Sequence, residues 1–130
     1  MQGQVNESDW KLFRKKLPDW QENYMNRLNK EYAAILAGSG NASDKFWELE
    51  KRINEDKHDV GVSARMSRSN MHGNILSLLE EGAITLADLH DFSDDLKDRM
   101  AFIMEANARF AADDEAGTSS EHTEEEVLIK

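Results

Sequence analysis

Two groups of side chains have the types and spacing to do chemistry. Arg65, Arg68 and His72 stand at i, i+3 and i+7, which on a helix is one face. Ser67, Ser69, Asn70 and Asn74 lie among them. Guanidinium forks match phosphate and carboxylate groups bidentately, so Arg65, Arg68, Asn70 and His72 are candidates for gripping an anion. The same polar face suits a structural or subunit-interface network, and that reading carries more weight than ligand binding. The second group is Asp88, Asp91, Asp94, Asp95 and Asp98. On one continuous helix these carboxylates would line one side, as a divalent-cation site or a mimic of nucleic-acid phosphates. The spacing is not that of an EF-hand loop, which alternates its ligands around a central glycine. A solvated face with aspartates at a favourable helix start is the simpler account.

Other chemistry finds little footing. His58, His72, His90 and His122 are far apart, and no His-Glu-x-x-His spacing occurs. There is no cysteine, no Gly-x-Ser-x-Gly elbow and no Gly-x-x-x-x-Gly-Lys phosphate loop. No catalytic residue, metal site or cofactor is assigned, and an enzyme is not expected. Trp10 and Trp20 are large for a small bundle, which makes them candidates for a subunit interface, where tryptophan is enriched.

The elements that must position these groups are helical. Asn6 or Ser8 caps a first helix carrying Trp10, Phe13 and Leu17 at spacings of three and four. Leu17-Pro18 predicts a break, with a second helix from Pro18 to about Ala37. A third, capped by Asn41 or Ser43, runs towards Gly61 with Phe46, Leu49 and Ile53 inside and a Glu48–Arg52 pair outside. A fourth is read from about Val62 to Glu81, ended by Gly82 with Ile84 packing back. Thr85 and Asp88 make a carboxylate variant of the capping box for a short helix. Ser93 caps the last, which continues to about Ala112 along Leu96, Met100, Ile103, Asn107 and Phe110.

Charge divides the chain. The net charge is −10, of which residues 113–130 carry −6, seven acids against one lysine. Residues 1–112, with 19 acids and 15 bases, carry −4 and are read as a helical bundle domain. Residues 113–130 lack apolar rhythm before Val127 and are read as a disordered acidic tail. This balance disfavours direct nucleic-acid binding. No stretch approaches the ~20 apolar residues that cross a bilayer, so no membrane partner is expected. With a polar N-terminus and no cysteine, a cytoplasmic location is expected.

Several blocks also carry a resemblance: Ser8-Asp9-Trp10-Lys11-Leu12-Phe13, Leu17-Pro18-Asp19-Trp20-Gln21-Glu22, Ser43-Asp44-Lys45-Phe46-Trp47, Glu50-Lys51-Arg52-Ile53, Met66-Ser67-Arg68-Ser69-Asn70-Met71, and Gly82-Ala83-Ile84-Thr85 leading to Asp91-Phe92-Ser93. As a series over about residues 8–103 it resembles a family of small helical bacterial proteins of Gram-positive anaerobes, some labelled "multidrug transporter". The resemblance implies a bacterial helical domain and assigns no activity or site residue. The transporter label conflicts with the lack of any membrane-length apolar segment.

The sequence therefore predicts an all-α bundle of five to six helices. The expected function is a non-catalytic interaction or regulatory module, homodimeric, using the arginine stretch and an exposed aromatic. The alternatives are an acidic inhibitor or nucleic-acid mimic that blocks a basic groove, and a small anionic-ligand binder.

Overall fold

The computed structural model describes the backbone of residues 5–129 and the side chains of residues 5–112. The described residues are helical and contain no strand. They form four α-helices: α1 (Glu7–Ala37), α2 (Ala42–Asp56), α3 (Met71–Glu80) and α4 (Asp94–Ile129). Two 3-10 turns, Arg68–Asn70 and Leu86–Leu89, precede α3 and α4. The count of five to six helices is thus corrected to four. The last helix, expected to end at about Ala112, continues as α4 to Ile129 across the residues expected to form a disordered tail; the side chains of 113–130 lie outside the described residues.

Two local differences account for the lower count, and a third shortens a helix. Pro18 does not break the chain: α1 runs through it for 31 residues. A mid-helix proline loses one donor and crowds the carbonyl four residues back. Here the ring is exposed, while Leu17 and Trp20 on either side are buried and hold the helical path. The helix expected at 62–81 begins only at Met71, because residues 57–67 form a strap across α1. The short helix expected after Thr85 is a 3-10 turn, although its capping box is present, with the Thr85 N–H donating to Asp88 at 2.7 Å.

The strap is held by contacts that are remote in sequence. The Glu81 carboxylate accepts from the N–H groups of Val60 (2.9 Å) and Gly61 (3.0 Å), consuming donors that a helix there would need. The Tyr24 hydroxyl donates to Asp59 at 2.6 Å, and the Gln21 amide donates to the Val60 carbonyl at 2.9 Å. Gly61 lies against the Tyr24 ring so closely that a Cβ would fall 2.2 Å from a ring carbon. Only glycine lets the strap settle there.

The core is built from two separated stretches. Trp10, Phe13, Leu17 and Trp20 of α1 meet Met71, Ile75, Leu78 and Leu79 of α3. Ile84, Leu89, Phe92, Leu96 and Met100 close the other side. Tyr24 and Leu28 extend the buried stripe of α1 by two further turns. The aromatic rings make a chain, Trp10–Phe13 and Phe13–Trp20 at 6.3 Å and Trp20–Phe92 at 6.1 Å between centroids. A Schellman motif ends α3 as the glycine stop predicted: Gly82 has φ 77°, Gly82 N–H donates to Leu79 and Ala83 N–H to Leu78. Ile84 behind it is buried. Asn6 caps α1 through Ser8 N–H (2.8 Å) and Asp9 N–H (3.2 Å), as expected for one of its two candidate caps.

Candidate functional site

The arginine group does not share a helix face, which corrects the i, i+3, i+7 reading. Arg65 lies in the strap and is exposed, and its carbonyl accepts from the Asn74 amide at 3.0 Å. Arg68 sits in the 3-10 turn, where its fork is filled by the chain's own Glu7, at 3.2 Å from Nε and 3.0 Å from Nη2. That hydrogen bond is the main reason the Glu7 carboxyl is held below its ordinary value. The Arg68 guanidinium also lies 5.7 Å from the Trp10 ring centroid, with Arg14 at 5.8 Å. The bidentate geometry that suits an external anion is spent on clamping the 3-10 turn to the start of α1. Asn70, half-buried, closes the 3-10 turn with its N–H on the Ser67 carbonyl.

His72 points instead into a polar cleft of about 150 Å³, between the starts of α1 and α4. Asn6, Asp9, Ser93, Asp95 and Arg99 share its walls. Among the described residues Asp9 is the one charged residue that is buried, and each oxygen of its carboxylate accepts a hydrogen bond. It accepts from Ser93 N–H at 2.9 Å and Ser93 Oγ–H at 2.6 Å. Ser93 Oγ in turn accepts the Leu96 N–H at 3.3 Å, the N-cap foreseen for the last helix. Burial, with the Arg99 charge second, pushes the His72 imidazolium below its ordinary value, against the opposing pull of Asp9. The cleft joins an acid, an imidazole and a hydroxyl, but the hydroxyl hydrogen-bonds Asp9 rather than His72. This arrangement fastens α1 to the start of α4. Two carboxylates, Asp9 and Asp95, also face any anion that Arg99 could attract.

The aspartates do not form one stripe, because the chain turns between Leu89 and Asp94. Asp88 completes the capping box of the 3-10 turn by accepting the Thr85 N–H. Asp91 meets Lys16 (3.8 Å) and His90 (3.2 Å), and Asp94 meets Lys97 (3.3 Å). Asp95 lines the polar cleft and Asp98 is exposed. Among the described residues no three His, Asp or Glu side chains gather so as to hold a metal ion.

Trp10 and Trp20 correct the expectation of an exposed aromatic in the first helices: at 7 % and 9 % exposure they are core. The exposed aromatics are on α2, Phe46 at 61 % and Trp47 at 63 %, packed edge-to-face at 4.9 Å. Phe102 and Phe110 of α4 are exposed as well. The line Phe46, Leu49 and Ile53 is the apolar face read in the sequence, yet α2 buries no residue at all. Its attachment to α1 is largely polar. Arg52 reaches Glu31 (2.7 Å) and Asp56 (3.4 Å) instead of the expected Glu48, and lies over the Tyr32 ring at 5.7 Å. The Tyr32 hydroxyl donates to Asp56 at 2.6 Å; burial first, then that carboxylate, push the phenol up to about 12.

Beside Ile53 lie two apolar hollows, of about 270 and 250 Å³. Sequence spacing showed the apolar line of α2 but assigned it to the core; its partner cannot be read from local pattern. Among the described residues, no helix is long and apolar enough to cross a membrane. Comparison with protein-family models, with curated proteins and with solved structures finds no match to this chain.

Proposed function

We propose that this chain is a non-catalytic protein–protein interaction module that acts as a homodimer. The observation that carries the reading is α2: a 15-residue helix with a regular apolar line and no buried side chain. A helix of that length is marginal in water on its own, and helices in proteins are stabilised mainly by burying an apolar face. Among the described residues one ion pair joins α2 to α1, Arg52 to Glu31, and it is largely exposed and contributes little, roughly 0–1 kcal/mol. Covering Phe46 and Ile53 would contribute roughly 2 kcal/mol apiece. The contact surface is therefore the α1–α2 hairpin, and not the arginine stretch, whose fork is occupied by Glu7.

The inhibitor or mimic reading draws less support, because four of the five aspartates are divided among a cap, two ion-pair sites and the polar cleft. Light scattering on the full chain, over a hundredfold range of concentration at low and high salt, tests the proposal. A mass of two chains that persists in salt is the expected result. One chain throughout would overturn it.

A further inference from the structure

The exposed line of α2 has a symmetry of its own. Ile53, 43 % exposed, stands where the two apolar hollows meet. Towards the end of the helix the larger hollow is walled by Met25, Leu28, Tyr32 and Val62, with Lys57 on its rim. Towards the start, the smaller is walled by Phe46 and Leu49, with Glu50 and Asn54 on its rim. The Asn54 amide donates to the Glu50 carboxylate and fixes it there. Glu50 and Lys57 thus flank Ile53 at minus three and plus four, the two spacings that return to the same side of a helix. An acid and a base so placed exchange positions when the helix direction is reversed.

We propose that a second copy of this chain docks α2 antiparallel against α2, with a two-fold axis beside Ile53. The inference rests on the homodimer reading above and specifies its geometry. Each Glu50 then faces the Lys57 of the other copy, and the two Ile53 side chains meet at the axis. Phe46 lies seven residues before Ile53, about 10 Å along the helix. Reversal therefore carries it over the hollow beyond Ile53 in the other copy, where Met25, Leu28 and Val62 supply an apolar bed for the ring. One surface patch is used twice, as a two-fold interface requires. A charged rim around an apolar centre fixes register and excludes the parallel arrangement, in which Glu50 would lie against Glu50.

The test is a dilution series of the full chain by sedimentation equilibrium, with variants at exposed positions. Ile53→Arg, which puts two guanidinium groups at the axis, is expected to raise the dimer Kd at least a hundredfold. Circular dichroism checks that the helices persist. Glu50→Lys and Lys57→Glu each create two like-charge contacts and are expected to raise Kd roughly tenfold at low salt. Mixed in equal amounts, these two variants should form a heterodimer as tight as the unaltered dimer, because both contacts become attractive again. A single-chain mass for the unaltered protein overturns the homodimer reading and this geometry together. A dimer whose Kd ignores Ile53→Arg and both charge variants overturns the geometry alone. Weakening by each charge variant without rescue in the mixture overturns the antiparallel register.

Discussion

At the scale of single residues, side chains whose types suggested ligand chemistry are mostly engaged with their own chain. Arg68 holds Glu7, Asp88 holds Thr85, and Asp91 meets Lys16. His72 is different: it sits in the polar cleft with Asp9, Asp95 and Arg99 and has a lowered pKa. Because the folded value lies below the ordinary 6.5, the unfolded chain takes up this proton first as pH falls. The stabilising contribution is complete above about 6.5 and is lost as pH drops from there to the folded value. Urea midpoints measured between pH 7.5 and 5.5 should therefore fall, and His72→Asn should flatten that slope. Arg99→Gln removes the second cause of the shift and should move the His72 NMR titration upward. A slope unchanged in His72→Asn would assign the acid sensitivity to another group. The sequence exposed the residue types here but not their partners. Asp9 and Ser93 are 84 positions apart, and nothing local announces a hydrogen bond across that distance.

Elements were legible where one face is buried along a single helix. The three-and-four spacing of Trp10, Phe13, Leu17, Trp20, Tyr24 and Leu28 maps directly onto the buried stripe of α1. The caps at Thr85 and Ser93 and the stop at Gly82 were equally plain, and Asn6 was one of two candidates for the first cap, because capping is chemistry between near neighbours. Illegible were the places where a distant group overrides a local preference. The strap at 57–67 has apolar spacing compatible with a helix, but Glu81 takes two of its N–H groups and Gly61 is pressed onto Tyr24. Pro18 is the converse case, a local breaker overruled by burial on both flanks. Pro18→Ala restores a donor and relieves the crowded carbonyl, but it also frees the unfolded chain. The net gain is expected to be about 2 kcal/mol, read as a rise in the urea midpoint at unchanged slope. No gain would mean that α1 is locally adapted to the ring.

For the whole molecule, the consequential division is between a packed body and a hairpin end. The body takes Trp10 to Leu28 of α1 together with α3, the turns and the start of α4. The end of α1 beyond Leu28 and all of α2 stand beside it with apolar side chains in water. If a second copy covers that end, stability must depend on how much protein is present. Melting temperature is expected to rise by several degrees over a hundredfold increase in concentration, and Ile53→Arg should abolish the rise. A melting temperature independent of concentration would leave the hairpin uncovered and the homodimer without thermodynamic support.

The placement of α2 between the two stretches that form the core also sets a timetable. A chain emerging from the ribosome presents Trp10, Phe13, Leu17 and Trp20 long before Met71 to Met100 exist to cover them. The segment made in between, residues 42–56, buries nothing and cannot shield them. Until Met71 to Met100 are made, the apolar side of α1 has no lasting cover, which exposes it to aggregation and to chaperones. Closure waits for Ser93, when the Asp9 carboxylate at the start of the chain finds its donors and the last helix can begin.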